Sequence, residues 1–117
     1  MKPMTLEESS KRMQYQIEIC DMALNQFGIT AQTTKCIEEL AEFQVELAKT
    51  LNFDHRREKF IDELVDAEFT LLQMKLAYLP NLSDLQEYES HKRKKIKALE
   101  DEINLIIEKQ QQSNPDN

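Results

Sequence analysis

The sequence predicts an all-α protein, and three observations carry that prediction. One glycine and three prolines in 117 residues leave few chain breakers. Apolar residues recur at intervals of three and four rather than in alternation, which is the helical and not the strand period. Capping signatures of the form Thr/Ser-x-x-Glu/Gln stand ahead of the periodic segments. The length suits one domain with a modest core, expected over residues 1–110, followed by a polar tail at 111–117 expected to be disordered.

Thr5-Leu6-Glu7-Glu8 has the form of a capping box and opens a first helix that runs to about Phe27. Its inner stripe is Met13, Ile17, Cys20, Leu24 and Phe27. Gly28, the sole glycine, stands where a helix end takes a left-handed residue. Thr30 is the expected N-cap of a second helix to about Leu51, with Cys36, Leu40, Phe43, Leu47 and Leu51 as its apolar stripe. The short connection at 52–57 favours an antiparallel neighbour.

That neighbour, a third helix over about 57–79, has two apolar stripes: Phe60, Leu64, Ala67, Leu71, Met74 and Tyr78, and then Ile61, Val65, Leu72, Leu76 and Leu79. One partner cannot cover both. Glu68 lies between them, an expensive place for a lone charge. It either reaches solvent, pairs across an interface, or joins an acidic group indirectly. Pro80-Asn81 ends this helix, and Ser83-Asp84-Leu85-Gln86 is a second capping box. The fourth helix runs to about Gln110 with Leu85, Tyr88, Ile96, Leu99, Ile103 and Ile106 inward and Lys92 interrupting the row.

A net charge of -7 argues against a nucleic-acid backbone as the main partner. Cys20 and Cys36 fall in apolar stripes and read as buried reduced thiols. Residues 1–11 hold no apolar run resembling a signal peptide, and no stretch approaches the roughly 20 apolar residues of a membrane span, so a cytoplasmic protein is expected. There is no Gly-rich phosphate loop, no Cys/His metal spacing and no Glu-x-x-His pair. His55 in a loop and His91 in a basic run have no nucleophile beside them, so hydrolytic serine or cysteine chemistry has no support.

Chemistry enters with two acidic pairs at i, i+3: Glu39 and Glu42 on the second helix, Glu63 and Asp66 on the third. At about 100° per residue, Glu39, Glu42 and Glu46 fall roughly 60 to 140° to one side of their apolar stripe, and Glu63 and Asp66 fall roughly 60 to 120° off theirs in the same sense. Packing two antiparallel helices stripe to stripe keeps flanks of equal sense together, so four carboxylates converge on one edge. Counting out from the connection puts Glu46 level with Glu63 and the two pairs within about one turn, roughly 5 Å. Gathered like charges resist ionising unless something positive sits among them, and a carboxylate-only cluster suits a hard cation such as Mg²⁺. Solvated faces of amphipathic helices are the alternative reading in a chain that is 32% charged.

Two sets of cations accompany the acids. Lys35 lies one turn before Glu39 and can pair with it or reach a bound phosphate. Residues 91–97 supply five of the fifteen Lys and Arg residues. This run, with Lys92 and Lys95, is either a solvated face or a source of triphosphate contacts.

With Gln32-x-x-Lys35-x-x-Glu38-Glu39-x-Ala41-Glu42 followed by Glu63-x-x-Asp66-Ala67-Glu68, the chain resembles the MazG-like all-α nucleoside triphosphate pyrophosphohydrolases, and looks closest to their short, phage-type single-domain members. The likeness covers about residues 23–99. It implies a bundle of four main helices completed by oligomerisation and Mg²⁺ as cofactor, with Mn²⁺ a substitute. It also implies hydrolysis of a (deoxy)nucleoside triphosphate to the monophosphate and pyrophosphate. Glu39, Glu42, Glu63 and Asp66 become the metal ligands and catalytic residues by this likeness, with one of them, or Glu38 or Glu46, as base. The chain departs from the family in having Thr70 where many relatives have Tyr, and in having no Trp.

The competing expectation is a non-catalytic helical interaction module with a solvated acidic edge and a basic docking patch. A homo-oligomer, dimer or tetramer, is expected in either case, because the second stripe of the third helix and Ile103, Ile106 and Ile107 of the fourth need cover.

Overall fold

The computed structural model describes residues 2–52, 54 and 56–113. His55 and the last four residues of the expected tail lie outside them. The described residues form four α-helices: α1 (Leu6–Phe27), α2 (Ile29–Leu51), α3 (Arg57–Tyr78) and α4 (Leu82–Ser113). Among the described residues there is no strand, and no helix is long and apolar enough to cross a membrane. The chain divides into two compact units, Met1–Pro80 and Asn81–Asn117.

In the first unit α1, α2 and α3 pack on one another, with the most extensive contact between α2 and α3. Those two run antiparallel. Thr33 Oγ1 lies 2.7 Å from the Tyr78 hydroxyl and the Gln32 amide bonds that of Gln73 at one end, while the Phe43 and Phe60 rings meet at 5.6 Å nearer the other. Thr5 caps α1 as a full box: its hydroxyl accepts from the Glu8 amide at 3.1 Å, and Glu8 accepts from the Thr5 amide at 3.2 Å.

Gly28 alone joins α1 to α2, at φ 90° and ψ 158°. This is a region that essentially only glycine occupies, and not the left-handed helical turn expected. It serves as C-cap of α1 and N-cap of α2, so the expected cap Thr30 lies inside α2 instead.

The contact line between α2 and α3 is rotated relative to the expected apolar stripes. Cys36, Glu39 and Glu46 are the buried residues of α2, and Ala67 and Thr70 those of α3. Leu40 and Leu47 are 39% and 43% exposed, and Leu71 is 49% exposed. Cys36 and Ala67 belong to the expected stripes, while Glu39, Glu46 and Thr70 lie beside them, and the bulkier leucines are left at the flanks. Cys20 and Cys36 are buried free thiols, as expected, and burial raises the Cys20 thiol above its ordinary value. The second stripe of α3 is partly met by α1, where Met13 and Gln16 line a crevice of about 360 Å³ with Val65, Phe69 and Leu72. Glu68 lines that crevice too and is exposed, which matches the alternative in which it reaches solvent.

In the second unit α4 starts at Leu82, one residue before the expected capping box. The Asn81 amide donates to Asp84 Oδ2 at 3.2 Å, and the Leu85 amide donates to the Asn81 carbonyl at 3.1 Å. Asn81 therefore takes the N-cap position and Ser83 lies within the helix. The helix extends to Ser113, so residues 111–113, assigned to the tail from sequence, are helical.

Candidate metal centre

Glu39 comes from α2, and Glu63 and Asp66 come from adjacent turns of α3. One carboxylate oxygen from each lies within 4.8 Å of the other two. The convergence follows from the rotated contact line, which places Glu39 in the seam. The side chains of Glu39 and Glu63 are only 7% and 12% exposed, whereas Asp66 is at the open side.

Each seam glutamate has a lysine from its own helix on one oxygen. Lys35 Nζ is 2.8 Å from Glu39 Oε1, and Lys59 Nζ is 3.8 Å from Glu63 Oε1. The second oxygens, Glu39 Oε2 and Glu63 Oε2, are buried with no hydrogen-bond partner. A buried, unpartnered carboxylate oxygen is costly, and two of them in one group with Asp66 make a donor set that could hold a cation. Three carboxylates and no nitrogen or sulfur suit a hard divalent ion.

Glu42, the fourth predicted ligand, is exposed and lies outside the tightest group of three, but its carboxyl reaches those of both Glu39 and Glu63 by hydrogen bond as well as by charge. It lies close enough to feel them: the charge of Glu39, then burial, then the charge of Glu63 raise its carboxyl above the ordinary range. Lys35, offered as an ion-pair partner or a phosphate contact, makes the ion pair, and its ammonium is held above its usual value first by the hydrogen bond to Glu39. Lys92 and Lys95 lie on α4 in the second unit, both exposed.

Sequence reasoning undervalued Glu46, Lys49 and Lys59. Glu46 is buried two turns from Glu39 on the same line, and its Oε1 takes Lys49 Nζ at 3.2 Å. With Glu42, Val45 and Glu63 these three line a hollow of about 380 Å³ beside the carboxylate group. The signal was available, since a spacing of seven returns a helix to nearly the same face. Glu38 stays exposed. Thr70 is buried and donates its hydroxyl back to the carbonyls of Asp66 and Ala67 at 3.1 and 3.0 Å, in the turn that follows Asp66.

Comparison with protein-family models, curated proteins and solved structures gives no match.

Proposed function

We propose that the protein is a Mg²⁺-dependent hydrolase that cleaves a (deoxy)nucleoside triphosphate to the monophosphate and pyrophosphate. The observation that carries this reading is the pair of buried, unpartnered oxygens of Glu39 and Glu63, set with Asp66 in one group. The substrate class comes from the resemblance of the motif residues.

In this reading Glu39, Glu63 and Asp66 hold the ion. Bound there, Mg²⁺ supplies charge for the phosphate oxygens and lowers the pKa of a water. Glu42, whose neighbours raise its proton affinity, would take the proton from the attacking water in this reading. Lys49 and Lys59, about half exposed at the rim of the hollow, offer ammonium groups to the phosphates.

Release of pyrophosphate across a nucleotide panel, for the native chain and for Asp66→Asn, tests the reading. Loss of turnover in the variant with helicity retained is the expected result, and undiminished release would overturn it. The interaction-module reading has one observation on its side. Glu39, Glu46 and Glu63 each already have a lysine within 4.0 Å, so the seam is partly neutralised without an ion. It predicts no response of the protein to Mg²⁺.

A further inference from the structure

The hollow beside the seam group has acids enough for an ion of its own. Glu42 and Glu46 of α2 and Glu63 of α3 line it, and three carboxylates without nitrogen or sulfur suit a divalent ion there as well as they do at Glu39, Glu63 and Asp66. Two lysines line the same hollow. Lys49 Nζ stands 3.2 Å from Glu46 Oε1 and Lys59 Nζ 3.8 Å from Glu63 Oε1, so each helix sends one ammonium among these acids. Glu46, the most deeply buried of them, has no unpartnered buried oxygen. Such oxygens belong to Glu39 and Glu63, in the group with Asp66.

Spacing shows how the difference arises. Lys35-x-x-x-Glu39-x-x-Glu42 on α2 repeats as Lys59-x-x-x-Glu63-x-x-Asp66 on α3, and the antiparallel helices set the two copies in opposite directions. The copies diverge one turn further on. There α2 has Glu46 where α3 has Thr70, and with this fifth acid comes a third lysine, Lys49, at i+3.

We infer that Lys49 and Lys59 are the resident cations of the hollow, so that the chain takes one divalent ion, at Glu39, Glu63 and Asp66, and keeps a second from Glu42, Glu46 and Glu63. Charge agrees with that count. When ionised, Glu39, Glu42, Glu46, Glu63 and Asp66 carry five negative charges, against three positive charges on Lys35, Lys49 and Lys59. One divalent ion cancels the remainder. A second would leave an excess of two positive charges and would stand beside two ammonium groups, whose repulsion at a few ångströms is strong in a partly buried site. The inference rests on the proposed metal centre and adds to it: charge on the substrate that a second ion would meet is met by tethered lysines instead.

The test counts ions on the full chain with no substrate present. Mn²⁺ is the probe, measured by equilibrium dialysis near neutral pH with the free ion read by electron paramagnetic resonance. The native chain should bind one Mn²⁺ and Lys49→Met with Lys59→Met should bind two. Lys49→Arg with Lys59→Arg, which keeps both charges, should return the count to one. The two lysine side chains are about half exposed, so the variants should keep their helices, which circular dichroism checks. If the double methionine variant unfolds, Lys59→Met alone, which breaks the looser pair, should bind a second ion at concentrations where the native chain binds one. Two ions on the native chain, or no added ion on the folded methionine variants, would overturn the inference and leave the metal centre standing. No ion on the native chain would overturn the metal centre itself, and the inference with it.

Discussion

Glu42 separates catalytic from structural roles more cleanly than any other side chain here, because it is exposed and its substitution opens no cavity. Its carboxyl is raised by Glu39, by burial and by Glu63, so the folded chain binds that proton more tightly than the unfolded chain does. The stability of the ion-free protein therefore falls as pH rises from the ordinary carboxylate range through the raised value, and the loss is complete above it. Glu42→Gln removes this loss. At pH 7 without divalent ions the variant should melt at or above the temperature of the native chain, while turnover falls by about 10²-fold or more, the usual scale of a general base. Parallel melting curves from pH 4 to 8 check the first expectation and a pyrophosphate-release assay the second.

At the scale of the element, Gly28 is the position where backbone conformation decides most. Nothing lies within 4 Å of where a Cβ would stand, so Gly28→Ala meets no clash and its cost is backbone strain alone, about 1–3 kcal/mol. The melting temperature should drop by roughly 4–8 °C per kcal/mol for a unit of this size. A differential scanning trace with no shift would mean that the α1–α2 joint relaxes freely.

The same scale shows what could be read from sequence. The four helices, the Thr5 cap and the helix end at Phe27 were legible because periodicity and caps are local signals. So was the meeting of Glu39 with Glu63 and Asp66, since i, i+3 spacing and a short connection constrain it. The rotation of the α2–α3 contact line was not legible. Leu40, Leu47 and Leu71 look inward by hydrophobicity but are exposed, whereas Cys36 and Ala67 of the expected stripes are buried together with Glu39, Glu46 and Thr70 from beside them. Glu39 and Glu46 are therefore in the seam and not ranged along an open edge. The α4 start was missed because Asn81-to-Asp84 and Ser83-to-Gln86 overlap as caps, and only the geometry of the Asn81 amide chooses between them.

For the whole molecule, Mg²⁺ and nucleotide should act together. A ligand that binds only the native state stabilises it by RT ln(1 + [L]/Kd), about 2.7 kcal/mol at a hundredfold excess over Kd. Thermal melts with Mg²⁺ alone, nucleotide alone and both should show the largest rise with both, and the rise should vanish in Asp66→Asn. Three flat traces for the native chain would favour the interaction module.

The buried seam joins these scales. Because Glu39 and Glu63 hold unpartnered oxygens inside the α2–α3 contact, that contact carries a desolvation cost. Segments with unfavourable internal contacts open more often than their neighbours. Amide hydrogens around Glu39 and between Glu63 and Thr70 should therefore exchange with deuterium sooner than those of α1 near Cys20, and adding Mg²⁺ should slow the first set selectively. The ion would then act as a fastener for the hairpin as well as a reagent, and the exchange map, read peptide by peptide, would show it without any substrate present.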